Sequence, residues 1–132
     1  MGAALAQTGS GRFFVHTVGD GELLYTSSSL WTLANLNLPL LTVVNNNRLY
    51  GNDEGHQEYI ARSRGRSVEN KYVGITLDRP ATDFAGLARS FGVEGVGPIE
   101  DPADLKEALD RAVAIVEKEQ RPVLVDVVTG SD

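Results

Sequence analysis

The 132-residue chain contains no cysteine. A disulfide framework and a thiolate metal site are both excluded. Also missing is any run of the ~20 apolar residues that a membrane-spanning helix needs. Basic charge is scarce: 12 Lys and Arg stand against 18 Asp and Glu, a net charge of −6 at pH 7. A nucleic-acid surface needs a basic stripe, and this composition does not supply one. Met1-Gly2-Ala3-Ala4-Leu5-Ala6 lacks the basic stretch of a secretory signal. Gly2 alone does not make a myristoylation site, because Ala6 stands where Ser or Thr is expected. There is no internal repeat and no low-complexity tract. The default expectation is a soluble, cytoplasmic protein with neither membrane nor nucleic acid as partner.

A chain of this length makes one domain, residues 1–132, and its 42% hydrophobic content can fill a core. Residues 3–8 read as the last turns of a helix that Gly9-Ser10-Gly11 stops. A helix that opens at the initiator Met has no visible start, so the chain is expected to be a piece of a longer polypeptide. Phe13 to Val18 reads as a buried strand, ended by Gly19-Asp20-Gly21. Thr26 to Ser29 offers several N-caps for a helix reaching Asn37, and Pro39 breaks it. Leu40 to Val44 is a near-continuous apolar run, as a parallel strand covered on both faces requires.

Asn45 to Gly55 is rich in turn residues. Residues 56–80 are polar without a clean period, and predict an excursion with a short helix at most. Asp83 caps a helix with Phe84, Leu87, Ala88 and Phe91 on one face, and Gly92 stops it. Val93 to Val96 is a weak strand. Asp101-Pro102 opens a second helix, with Leu105, Ala108, Leu109, Ala112, Val113 and Val116 as its buried stripe. Pro122 leads the last strand, Val123 to Val128. Strands alternating with helices predict an α/β fold, three layers α/β/α around a mainly parallel sheet, with right-handed crossovers.

Two turn signals carry the chemistry. Asn47 follows Asp20 by 27 positions, across one helical crossover. The Gly19-Asp20-Gly21 and Asn45-Asn46-Asn47 turns then lie at the carboxyl ends of two parallel strands, where open α/β sheets bind ligands. A carboxylate and a carboxamide on that edge suit magnesium, which takes about six oxygens at roughly 2.1 Å and shares them with phosphates. Gly19 and Gly21 let the backbone come close to a ligand.

Gly19-Asp20-Gly21 followed by Asn46-Asn47, with Leu38-Pro39 and an apolar strand before the asparagines, resembles the thiamine-diphosphate motif. Ser29-Leu30-Trp31-Thr32-Leu33-Ala34, Asn37-Leu38-Pro39 and Tyr50-Gly51 are similar to the acetolactate synthase and benzoylformate decarboxylase group. The resemblance covers the diphosphate-binding module, about the C-terminal quarter of such enzymes. It implies a thiamine-diphosphate-binding fold, incomplete at its N-terminus, with thiamine diphosphate and Mg2+ as cofactors and a 2-keto acid as substrate. It implies Asp20 and Asn47 as side-chain metal ligands and Leu49 as a backbone-carbonyl ligand. Gly19, Gly21, Glu22, Tyr50 and Gly51 would bind the cofactor beside them. Glu22 departs from the small residue often found there; next to a diphosphate its side chain must point away. Asp53 falls where relatives place a side chain near the substrate, as a proton donor or as an exposed loop acid. His56 is a second candidate at the substrate, against a solvated loop position.

The resemblance also implies a pyrimidine-binding module, in this or another chain, whose glutamate activates the cofactor. The isolated chain is then expected to be inactive and, with its motif edge uncovered, to associate as a homo-oligomer. Two other readings stand beside it: a non-catalytic α/β interaction module, and a small subunit working with a separate pyrimidine-binding chain. Elsewhere the residues read plainly: His16 as a packed strand histidine, Leu30 and Trp31 as core or interface, Arg62, Arg64 and Arg66 as a solvated cluster, Asp126 as a strand end, and Glu117 to Glu119 as a solvated helix face.

Overall fold

The computed structural model describes residues 1–130. Four strands, β1 (Val15–Gly19), β2 (Leu41–Asn46), β3 (Glu94–Ile99) and β4 (Val123–Val128), form one sheet in the order β1-β2-β4-β3. Every pairing is parallel. Around it lie α1 (Gly2–Ala6), α2 (Asp20–Tyr25), α3 (Ser29–Asn35), α4 (Gly51–Ser63), α5 (Phe84–Ser90) and α6 (Pro102–Ala114). A π-helical turn, Ile115–Glu119, extends α6.

Alternation along β2 and β4 divides the core in two, because successive strand residues face opposite sides. Val44 and Leu124 pack with Leu23 of α2, Leu30 and Leu33 of α3, and Phe84 and Ala88 of α5. Leu41, Val123 and Val125 pack on the other face with Ala108, Ala112, Ile115 and Val116. Helices therefore cover both sides of the sheet, the expected three-layer α/β arrangement. The caps behave as their residue types dictate. Asp83 accepts a hydrogen bond from the Gly86 N–H at 2.6 Å, and Asp101 from the Ala103 N–H at 2.8 Å.

Several expectations need correction. The single helix between the two turns is two short ones, α2 and α3, and α2 begins at Asp20 itself. No serine of Thr26 to Ser29 caps α3 through its side chain. β1 is an edge strand, with Val15, His16 and Thr17 exposed, so neither the buried strand nor the packed His16 holds. Trp31 is 56% exposed on α3 and is not core.

Residues 51–63 form a helix of 13 residues where a turn-rich loop to Gly55, and beyond it a short helix at most, were expected. It buries no residue, so its sequence carries no apolar stripe. Polar contacts hold it instead: Lys71 Nζ pairs with Glu54 at 2.8 Å and Glu58 at 2.7 Å, and Arg62 with Glu58 at 2.8 Å. This clasp ties the 64–80 segment to α4. Asp126 is also misread as a strand end; it lies within β4 and is 0% exposed.

Candidate functional site

β1 and β2 run in parallel and end side by side, Gly19 in register with Asn45. That register places the two turns on one edge. Asp20, the first residue of α2, is only 3% exposed. Its Oδ1 accepts from the Gly21 N–H at 2.9 Å and its Oδ2 from the Leu49 N–H at 3.2 Å. Asn47 Oδ1 accepts from the same Leu49 N–H at 3.1 Å. One backbone donor thus gathers an oxygen from each turn.

Leu49 is presented to them by its neighbours. Arg48 O accepts from Leu77 N at 2.8 Å, and Tyr50 N donates to Ile75 O at 2.9 Å. Leu49 lies between these two bonds in an antiparallel bridge to Thr76. In such a pairing its own N–H and C=O face away from Thr76, toward Asp20 and Asn47. A carboxylate, a carboxamide and a main-chain carbonyl then share one side. These are hard oxygen donors, and they suit a magnesium-like ion better than zinc. Among the described residues no group of three or more His, Cys, Asp or Glu could hold a metal. A set with a single carboxylate therefore leaves ligand positions to phosphate and water.

The turns open into a cleft of about 590 Å³. Gly19, Asp20, Gly21 and Glu22 line one wall, and Asn47, Leu49, Tyr50 and Gly51 the other, so all eight cofactor residues read from the sequence share it. The Glu22 carboxylate is turned back, accepting from the Gly19 N–H at 3.2 Å. α4 starts at this cleft. Its first helical bond runs from Glu54 N to Tyr50 O, so the N–H groups of Gly51, Asn52 and Asp53 precede any intrahelical acceptor. Such amides favour an anion. Asp53 lines the cleft from a helix rather than a loop. His56 does not line the cleft itself; with Gly55 and Tyr59 it borders an adjoining groove on the exposed face of α4 that shares Gly51 and Asn52 with the cleft.

Sequence reasoning missed several residues here. Tyr25 stacks on Tyr50 with ring centroids 5.7 Å apart and planes at 21°. Burial, followed by the Tyr25 contact, pushes the Tyr50 hydroxyl above its usual range. Asn45, Asn52 and Thr129 also line the cleft. Beneath it, Asp126 Oδ1 accepts from Asn46 Nδ2 at 3.0 Å, while among the described residues Oδ2 has no well-formed hydrogen bond, the Phe84 N–H lying close to the carboxyl. Burial pushes this carboxyl up, and the Asn46 bond opposes the shift. An acid inside the apolar run Val-Leu-Val-Asp-Val-Val was the available signal, because a carboxylate in such company is buried only with a partner.

Residues 1–127 match the family described as thiamine pyrophosphate enzyme, C-terminal TPP binding domain. The chain belongs to the thiamine pyrophosphate enzyme family and corresponds to this C-terminal domain. It is 33% identical over 127 residues to the acetolactate synthase large subunit of Parasynechococcus marenigrum, covering 96% of this chain and 18% of the relative. It is 30% identical over 129 residues to the benzoylformate decarboxylase of Pseudomonas aeruginosa, covering 98% and 21%. The chain thus spans about a fifth of these relatives. It is similar in structure to the thiamine diphosphate-dependent 4-hydroxybenzoylformate decarboxylase of Rhodococcus jostii RHA1, with TM-score 0.79 and 27% identity over 99% of this chain and 22% of that one. A benzoylformate decarboxylase from Polynucleobacter necessarius shares the fold, with TM-score 0.73 and 19% identity over 99% of this chain and 22% of that one. Among the described residues no helix is long and apolar enough to cross a membrane.

Proposed function

We propose that this domain holds the diphosphate of thiamine diphosphate through a magnesium ion bound by Asp20, Asn47 and the Leu49 carbonyl. We place it in a cytoplasmic 2-keto acid decarboxylase or carboligase. The observation that carries the reading is the convergence of Asp20 Oδ2 and Asn47 Oδ1 on the Leu49 N–H, inside the cleft that the motif residues line. When bound, thiamine diphosphate supplies the nucleophilic carbon and the electron sink for cleaving a 2-keto acid.

The chain's own residues bind and orient. Asp20 supplies the charge that draws the metal in, and Asn47 and Leu49 complete its protein side. The first amides of α4 would hold the phosphate oxygens. Gly21, without a side chain, keeps the opposite wall close. Asp53 is the acid placed to move a proton at a bound substrate. A pyrimidine-binding module, in the same or a second polypeptide, activates the cofactor, so residues 1–132 alone show no turnover.

The test is calorimetric titration of the 132-residue chain with thiamine diphosphate, in magnesium and in chelator. Magnesium-dependent heat, absent with unphosphorylated thiamine, is expected. Binding that ignores both magnesium and the diphosphate would overturn the proposal. Carbon dioxide release from pyruvate or benzoylformate above that of free cofactor would overturn the claim of inactivity.

A further inference from the structure

We propose that Asp126 is a positioning residue: through the side chain of Asn46 it fixes the turn that carries Asn47 and Leu49, and so sets the magnesium affinity of the cleft. The metal effect rests on the function proposed above; the effect on the turn does not.

Asp126 is in register with Val44 and shares its face with Leu124, on the side covered by α5. All three residues are 0% exposed. A carboxylate in apolar surroundings needs a hydrogen-bond partner, and the Asn46 carboxamide supplies one, with the Phe84 N–H nearby. Asn46, two residues beyond Val44 on the same face, is 3% exposed, and its carboxamide and main-chain oxygen all bond to neighbours. Its Nδ2 donates to Asp126 Oδ1 at 3.0 Å. Its Oδ1 accepts from the Arg48 N–H at 3.3 Å, and its main-chain oxygen from the Thr129 N–H at 2.9 Å. The carboxamide is a strut from the middle of β4 to the turn.

The strut has a direction. A carboxamide has one donor end and one acceptor end. With an acceptor at Asp126, only one orientation leaves Oδ1 facing Arg48. The reverse would set oxygen against oxygen at Asp126 and N–H against N–H at Arg48. The turn needs such a hold, because Arg48 sits at φ +58°, a left-handed conformation uncommon for a residue with a side chain. Asn47 and Leu49 flank it. Groups that orient a metal's ligands from behind typically change metal affinity roughly 10–100-fold when removed.

The experiment compares the unaltered 132-residue chain with Asp126→Leu, Asp126→Asn and Asn46→Ala. Amide hydrogen exchange is read at Arg48, Leu49 and β3, and the magnesium concentration needed for thiamine diphosphate binding is read by calorimetry. Asp126→Leu removes the acceptor and leaves the buried Asn46 Nδ2 without its partner. It should speed exchange at Arg48 and Leu49 at least tenfold and raise the magnesium requirement at least tenfold. Asn46→Ala should do the same from the other end. Asp126→Asn keeps an acceptor oxygen and should restore both values to near those of the unaltered chain. In every variant β3 should keep its protection. Unaltered exchange in Asp126→Leu, an Asp126→Asn as impaired as Asp126→Leu, or loss of protection in β3 alongside the turn would overturn the proposal. If the unaltered chain takes up no cofactor, the proposed function falls, and exchange at Arg48 and Leu49 still decides the positioning role.

Discussion

The ring of Tyr50 occupies the space a side chain at Gly21 would need: a Cβ there would fall 2.1 Å from Tyr50 Cε1. The two turns touch through this contact, and Tyr25 stacks on the same ring. Gly21→Ala should therefore push Tyr50 outward rather than unfold the domain, because a ring can move. We expect a melting temperature within a few degrees of the unaltered chain and about tenfold weaker cofactor binding. Adding Tyr50→Ala should bring no further loss, since the clash partner is gone. Independent, additive losses in a double-mutant cycle would show that the two residues are not coupled.

Gly95 offers a contrast. A Cβ at this position in β3 would fall 2.1 Å from the Ala85 carbonyl oxygen of α5. Here the obstacle is backbone on both sides. Overpacking of this kind costs about 1–3 kcal/mol. Gly95→Ala should lower the melting temperature by several degrees in a thermal scan. The residues of the cleft do not touch this contact, so affinity well below the transition should be unchanged.

The clasp on α4 titrates. Hydrogen bonds from Lys71 and then Arg62 hold the Glu58 carboxyl below the usual carboxylate range. A depressed folded-state pKa gives stability that is present above the unfolded value and is lost as pH falls through the folded one. Hydrogen exchange in residues 64–74 should accelerate as pH drops through and below the ordinary Glu range, before β2 and β4 lose protection. Lys71→Met should show the fast exchange already at neutral pH. A segment equally protected at pH 3 and pH 7 would rule out the clasp.

Exposed apolar groups predict association. Trp31 and Tyr25 are 56% and 72% exposed, and Leu36, the C-cap of α3, is exposed as well. Such groups drive self-assembly when they form a patch. Light scattering should find a dimer or larger species, and Trp31→Glu should shift it toward monomer. A monomer at all concentrations would contradict this.

Where the sequence was informative, one physical feature was responsible in each case. Phe84, Ala88, Ala108 and Ala112 recur at helical spacing and are buried. Leu41 and Val44 lie in a continuous apolar run, and both faces of that strand are covered. The two turns were visible because Gly-Asp-Gly and Asn-Asn-Asn are strong breakers, and the structure brings Asp20, Asn47 and Leu49 together. α4 was legible only as a short helix at most, because polar pairs such as Glu58–Lys71 hold it and leave no periodic stripe. β1 was misjudged because an apolar run does not reveal a strand's place in the sheet. Whether His56 lines the cleft or the groove beside it depends on the rotation of α4, which no sequence period reveals. The Asp126–Asn46 pair joins residues 80 positions apart, a separation that no local pattern encodes.

The measurement closest to the central claim is magnesium-dependent binding of thiamine diphosphate to Asp20→Ala and Asn47→Ala, read by calorimetry against the unaltered chain. Asp20→Ala removes the only carboxylate among the three proposed ligands and should abolish the magnesium-dependent heat. Asn47→Ala, losing a neutral ligand, should weaken binding by at least tenfold. Both variants should still melt cooperatively, because neither side chain lies in the apolar core. Asp20→Ala binding thiamine diphosphate as tightly as the unaltered chain, with the same magnesium dependence, would contradict the account.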